Sequence, residues 1–429
     1  KKPANEIPQV FFPYKEVLDV YNAGLHLPDD VTIVWPDDNY GYMKRLSSPA
    51  EQKRSGRSGV YYHISYLGKP HDYLWMSTIP PTLMYEELRK AYDTTADRVW
   101  LANVGDIKSC EFSMDLFLSM AYDINAFNYD NVSTYQAKWL SNMFGKEYYN
   151  DFLDISNTFY HHAFSRRPEL MGWGYQWATD KNGKERNTDT DFSFTTYREA
   201  DSRLSDYNRI GNKVDQILAQ LPKEKKTGFY ELLYYPVKGC EYMNKMILNG
   251  QKNRRYALQG RSATNDLDKK VRCYYDSLQV ITKGYNSLLN NKWEYVMTTK
   301  QGFAASYFEM PKLSTIKLPA QAYLGIEAEG EDVLKGKSSF HLLPAFNNYL
   351  RQSYYFDIFN KGTSALKWTL STSSDWIVLN KKKGSTTLED RVWVSIDWNK
   401  VPTGERISGT IDIKGEKVGK AQPYLLAEQ

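Results

Sequence analysis

The chain has 429 residues, and its 55 basic and 51 acidic side chains leave a net charge of +4 spread along its length. A chain this long asks for roughly two to three domains, and its balanced charge excludes the concentrated basic stripe of a nucleic-acid binder. No apolar run approaches the roughly 18 residues of a membrane span, and a hydrophobic fraction of 41% with 25% charged residues is that of a soluble globular protein.

In chain order, Val17, Val20, Tyr21, Gly24 and Leu25 fall on one face of a helix. Residues 31–35 form a β-branched strand that ends at Pro36, residues 59–66 a second strand, and residues 73–76 a short third. Met84, Leu88, Ala91 and Tyr92 mark a helix, residues 98–104 the next strand, and Phe112, Leu116 and Met120 the helix after it. Strands alternating with helices indicate a parallel sheet or a (β/α) barrel. Only about half the strands of an eight-fold barrel are present, and the sequence opens on a helix with no strand before it. Residues 1–130 are therefore expected to be the second half of a (β/α)8 barrel.

Residues 131–315 change character. Tyr207, Ile210, Val214, Ile217, Leu218 and Leu221 make one helical stripe, and Leu267, Val271, Tyr274, Leu278, Ile281, Tyr285 and Leu288 a longer one. Residues 236–248 make a further helix, with proline in its first turn. A helical bundle follows from these stripes, interrupted by an exposed loop over 172–191 that carries Trp173, Tyr175 and Trp177. Residues 316–429 shift to period two: short strands at 354–359, 366–371, 376–379, 392–397 and 409–413, separated by turn clusters, indicate an antiparallel β-sandwich. The fold class expected is multidomain α+β: half barrel, bundle, sandwich.

Aromatic residues make up 15% of the chain, 34 of them tyrosines. Packed aromatic cores and flat rings for sugar faces both produce such a bias. Cys110, Cys240 and Cys273 fit neither zinc-ligand spacing nor a disulfide framework and are expected as free, buried thiols. His161 and His162 have no carboxylate at metalloprotease spacing, and the runs at Arg166-Arg167, 223–226 and 381–383 are expected to be solvated. The first residues do not have the pattern of a signal peptide, and the missing first strand and half count of strands lead us to expect a chain that begins inside a fold.

In a (β/α) barrel the C-terminal strand ends form the active face. Pro36-Asp37-Asp38-Asn39-Tyr40 follows the first of these strands. Tyr61, Tyr62 and His63 lie in the second, with His71-Asp72-Tyr73 beyond it, and Asn103 and Asp106 follow the last. Singly, each group has a structural role to fill, since Asp37-Asp38-Asn39 suits a turn and His71-Asp72 a loop pair. Together on one face, they are groups that hydrogen-bond sugar hydroxyls and perform acid and base work.

The stretches VTIVWPDDNYGYMKRL, EQKRSGRSGVYYHISYLGKPHDYLWMST and RVWLANVGDIK resemble glycoside hydrolase family 115, the xylan α-glucuronidases. The resemblance is dense over residues 8–125. It implies an inverting enzyme, without metal or other cofactor, that releases (4-O-methyl-)glucuronic acid side groups from glucuronoxylan or decorated xylo-oligosaccharides. It further implies a homodimer, no membrane span, a periplasmic or secreted location suited to a polymeric substrate, and further polypeptide before residue 1. On the resemblance and the strand-end pattern together, Asp37, Asp38, His71 and Asp72 are the catalytic candidates, and Asn39, Tyr40, Tyr62, His63, Tyr73, Asn103 and Asp106 the substrate-binding ones, Tyr62 and Tyr73 on the strand-end pattern alone. The C-terminal strands more loosely resemble carbohydrate-associated Ig-like modules. Two other function classes fit the residues: a non-catalytic carbohydrate-binding protein using Trp173, Trp177 and the sandwich, and an interaction module dimerising through the bundle.

Overall fold

The computed structural model describes residues 2–3, 6–173, 188–297, 309–331, 340–404, 406–415 and 422–428. The chain divides into two compact units, one of Lys1–Thr188, Ser205–Asn244 and Ser277–Glu309, the other of Asp189–Leu204, Lys245–Asp276 and Met310–Gln429. The fold is mixed: a parallel sheet, a large helical portion and two further sheets.

In the first unit, β1 (Val10–Phe11), β2 (Thr32–Pro36), β3 (Ser58–His63) and β4 (Ala96–Asn103) lie side by side in that order, every pair parallel. Here the structure corrects one expectation: a strand does precede the first helix, α1 (Glu16–Asn22). Two residues are too few to show a period, which is why β1 is invisible in the sequence. In β2 the run Ile33, Val34 and Trp35 is buried on both faces, as parallel sheets require. Side chains alternate across β3, so Tyr61 and His63 share one face while Val60 and Tyr62 take the other. Gly59 sits at a shift in the β3–β4 register, where a Cβ would lie 2.2 Å from the Val99 carbonyl oxygen, so only glycine fits.

Residues 73–76, expected as a strand, form only a single bridge between Tyr73 and Tyr66. Packing against helices overrides their β propensity. Trp75 is buried and donates its indole N–H to the Tyr235 hydroxyl at 3.0 Å, while the Met76 amide donates to Glu169 Oε1 at 2.9 Å. Helix α2 (Pro81–Asp93) begins on proline, whose missing N–H costs nothing there. It buries Met84, Leu88 and Ala91 but leaves Tyr92 at the surface. Helix α3 (Glu111–Tyr122) buries Phe112, Leu116, Phe117 and Met120.

The helical portion continues with α4 (Tyr129–Val132), opened by an Asn128 capping box, then α5 (Tyr135–Phe144) and α6 (Tyr149–Ser165). After them come α7 (Glu199–Gln220), α8 (Lys223–Phe229), a π-helical turn at Tyr230–Tyr234, α9 (Tyr235–Gln259) and α10 (Thr264–Asn286). The α7 stripe Tyr207, Ile210, Val214, Ile217 and Leu221 is buried, as is the α10 stripe Leu267, Val271, Leu278, Ile281 and Tyr285. His162 is buried on α6, stacked on Tyr207 with its Nε2 3.0 Å from Asp206. Cys110 and Cys240 are buried, but Cys273 is exposed, because it falls off the apolar face of α10.

In the second unit, β5 (Leu324–Ala328), β7 (Tyr354–Asn360), β11 (Glu389–Ile396) and β9 (Ile377–Leu379) form an antiparallel sheet in that order. The other sheet runs β10 (Lys383–Thr386), β8 (Leu366–Thr372), β12 (Arg406–Gly415), β13 (Gln422–Glu428) and β6 (Phe340–Leu342), antiparallel except for β13 beside β6. One apolar core takes Ile326, Phe356, Ile358 and Val394 from the first sheet and Leu366, Trp368 and Ile411 from the second. Fully buried Arg261 reaches Glu389 at 3.0 Å and pairs with Glu327, its guanidinium 3.9 Å from the Phe359 ring centroid. A charge so enclosed is tolerable only with partners of this kind.

Among the described residues no helix is long and apolar enough to cross a membrane. No group of three or more His, Cys, Asp or Glu among them could hold a metal ion.

Candidate active site

The C-terminal ends of β1, β2 and β3 converge on Asp37. Its carboxylate is almost wholly buried and accepts four hydrogen bonds. The amide of Asn39 (3.1 Å) and His63 Nδ1 (2.5 Å) share Oδ1, and the amides of Gly41 and His63 (both 3.1 Å) share Oδ2. A carboxylate can only accept, so His63 carries its proton on Nδ1 and presents Nε2 as the basic nitrogen. The imidazole lies among three phenols: Tyr61 at 4.8 Å, Tyr66 at 5.5 Å and Tyr14, stacked, at 5.9 Å. Asp37 thus fixes the tautomer and angle of a histidine, as an orienting carboxylate does in many catalytic dyads.

A second layer of hydrogen bonds fixes the turn after β2. Asn39 is left-handed, with φ of 75°. Its side-chain oxygen accepts from the Tyr14 hydroxyl at 2.8 Å and its carbonyl from the Tyr73 hydroxyl at 2.7 Å. The Tyr40 hydroxyl donates to the His71 carbonyl at 2.5 Å, and burial pushes that phenol up to about 12. Lys15, immediately before α1, likewise has a positive φ of 52°, and its ammonium stands over Tyr14 and Tyr66. Two such conformations following adjacent strands are a local cost that functional sites often carry.

His71 is buried against Trp173, and its Nδ1 donates to the Asp72 carbonyl at 2.6 Å. Burial, reinforced by Arg166, lowers its pKa to about 4, so it is a neutral imidazole at ordinary pH. Asp72 is buried beside it. Arg167 closes the cluster from the segment after α6: its Nη2 donates to the Tyr40 carbonyl at 2.9 Å, and its guanidinium lies 4.3 Å from the Tyr73 ring centroid. Arg167→Met, which keeps the stem and loses those contacts, is expected to lower stability by about 1–2 kcal/mol. Urea denaturation measures it, and an unchanged midpoint would remove Arg167 from this cluster.

Of the candidates from sequence, Asp37, Asn39, Tyr40, His63, His71 and Tyr73 are brought together by these contacts. Asn103 joins through its amide, which donates to the Tyr61 hydroxyl. Tyr62 points the other way, packs on Phe117 and donates to the Gly41 carbonyl, a core position. Asp38 is exposed; one of its oxygens caps the turn by accepting from the amides of Tyr40 (2.8 Å) and Tyr42 (3.1 Å). Asp106 is exposed in the loop after β4. Glu16, at the start of α1 just beyond the end of β1, is a third exposed carboxylate on this side that sequence reasoning passed over.

The structure also corrects the expectation that Arg166-Arg167 is a solvated run. Both are partly buried, and Arg166 donates to the carbonyls of Leu170 and Trp173. Trp173 packs in this region; Tyr175 and Trp177 lie outside the described residues.

Comparison with known proteins bears on the same region. The family model described as Glycosyl hydrolase family 115 matches residues 1–170. A solved structure of a family 115 4-O-methyl-α-glucuronidase, described as specific for decorated arabinogalactans, is similar along the whole chain at 26% identity and a TM-score of 0.64. The alignment covers 58% of that protein, so this chain spans little more than half its length. A Bacteroides ovatus family 5 xyloglucanase matches at 13% identity and a TM-score of 0.18, over 24% of this chain and 19% of that one. A human PapD-like domain matches at 11% and 0.18, over 28% of this chain and 93% of that one. None of the curated proteins matches. Residues 1–170 thus match the model of glycosyl hydrolase family 115, and a likeness to a solved member of that family extends over the whole chain.

Proposed function

We propose that this chain is part of an inverting glycoside hydrolase that releases α-1,2-linked (4-O-methyl-)glucuronic acid from decorated glycans, glucuronoxylan first among them. The observation that carries the proposal is the Asp37–His63 pair held among Tyr14, Tyr61 and Tyr66, with exposed carboxylates following on neighbouring strand ends. Aromatic rings and amides suit sugar faces and hydroxyls. Inversion needs one carboxyl to protonate the leaving oxygen and another, about 6.5–9.5 Å away, to activate water. Asp37, with both oxygens doubly engaged, acts by positioning His63. Asp38, Glu16 and Asp106 are the carboxylates able to reach a substrate from this side.

The proposal takes residues 1–130 as half of a (β/α)8 barrel, 131–315 as a helical bundle and 316–429 as a β-sandwich. Support comes from the unbroken order β1–β4, all parallel, with α1 between β1 and β2, α2 between β3 and β4, and a short 3-10 turn, Glu51–Lys53, between β2 and β3. Closing an eight-stranded barrel takes as many parallel strands again, which a longer polypeptide would supply. A homodimer in the periplasm or outside the cell completes the proposal, since polymeric glycans are met there.

The test is to incubate the longest polypeptide carrying this sequence with glucuronoxylan and, separately, with a uronate-decorated arabinogalactan. Proton NMR follows both the uronic acid released and its first anomeric form. Release with β as the first anomer is expected. The α anomer would sink inversion, and glycan binding without release would make this a carbohydrate-binding protein.

A further inference from the structure

Between the start of α2 and the end of α6 lies a cavity of about 140 Å³, lined by Tyr42, Thr78, Leu83, Arg166, Arg167 and Trp173 among others. Among the described residues its two charged lining residues are both cationic, and no carboxylate lines it. Thr78 is only 1% exposed, yet its hydroxyl has no hydrogen-bond partner, and the buried Nε of Arg167 is in the same position. A buried donor left unpaired costs about 1–3 kcal/mol, so these two, on residues that line one cavity, are groups that an acceptor from outside the chain would satisfy after a small local shift. An oxyanion satisfies a guanidinium and a hydroxyl together, with bonds stronger than neutral ones. The rings of Tyr42 and Trp173 give the same cavity apolar faces on which a pyranose can lie.

We propose that this cavity is a second glycan site, which takes a uronic acid with its carboxylate on Arg167 Nε and Thr78 Oγ1. It shares Arg167 and Trp173 with the cluster around Tyr40 and His71, but none of Asp37, Asp38 or His63. The choice of a uronate among carboxylate-bearing ligands rests on the function proposed above. In a hydrolase acting on polymers, such a site holds a neighbouring decorated unit while another is cleaved.

Isothermal titration calorimetry with D-glucuronate, D-glucose, acetate and inorganic phosphate tests it, on the parent and on Thr78→Val, Leu83→Trp and Asp38→Asn. Thr78→Val removes the hydroxyl at constant shape, and Leu83→Trp fills the cavity from the α2 side. Glucuronate is expected to bind, about tenfold more weakly to Thr78→Val, not at all to Leu83→Trp, and equally well to Asp38→Asn. The proposal is overturned if glucuronate does not bind, or if Thr78→Val and Leu83→Trp, shown folded by circular dichroism, bind it like the parent. It is also overturned if acetate or phosphate binds as tightly as glucuronate. Uronate release is assayed in parallel. Its absence alongside cavity-dependent binding would sink the proposed hydrolase and leave this site standing.

Discussion

Asp37→Asn is expected to lose about 3 kcal/mol of stability and at least about a hundredfold in uronate release, whereas Asp38→Asn loses comparable activity at almost no cost in stability. The contrast follows from the hydrogen bonds. Asp37 answers three backbone amides and one imidazole with two oxygens. An asparagine has one accepting oxygen, so its NH2 must face donors already in place, leaving at least one buried donor unpaired. His63 would then lose the anion that fixes its tautomer, and turnover would fall through His63. Asp38 is exposed and uses one oxygen for a turn, an office asparagine fills equally well. Its loss is therefore chemical alone. Urea denaturation and uronate release, measured on the same preparations, separate the two. Equal destabilisation by both substitutions would show that Asp37 is not the anchor described here, and full activity in Asp38→Asn would pass the role to Glu16 or Asp106.

Much of this was legible in the sequence, and the exceptions have physical reasons. The strands that become β2, β3 and β4 are long enough to show a β pattern, and the polar residues at their ends were visible because barrel topology says where to look. The pair His63 and Tyr61 could also have been separated from Tyr62, since side chains two apart on a strand share a face. Arg167 was hidden for a different reason. Its partner Tyr40 is 127 positions away, and an Arg-Arg dipeptide after an amphipathic helix looks like any solvated run. Likewise nothing in Asp37-Asp38 says which carboxylate turns inward, because that depends on the amide of His63 arriving from another strand. Local chemistry pointed to the candidate cluster. Contacts between distant segments decide which of its groups turn inward.

The pH profile of stability offers the sharpest check on how the segment after α6 is seated. Glu169, in the turn Pro168–Leu170, is fully buried; one of its oxygens accepts from the Met76 amide and the other has no partner. Burial pushes its carboxyl up to about 7. Its folded-state proton affinity exceeds the unfolded one, so the stability it confers is complete below its ordinary 4.5 and is lost as pH rises through 7. His71 works in the opposite sense. With a folded value near 4 against an ordinary 6.5, it favours folding above 6.5 and loses that contribution as pH falls through 4. Each effect is worth roughly 3 kcal/mol, and between about 4.5 and 6.5 the two oppose one another. The parent should therefore be nearly flat in stability across that interval. Glu169→Gln keeps the acceptor for Met76 and removes the titration, leaving His71 alone, so its stability should climb steadily from pH 4 to 6.5. Relative to the parent, the variant should gain roughly 3 kcal/mol at pH 8 and almost nothing at pH 4. Urea midpoints at both pH values decide it: an equal gain at each would mean that Glu169 is ionised throughout, and the unpartnered oxygen would then need a cation beside it.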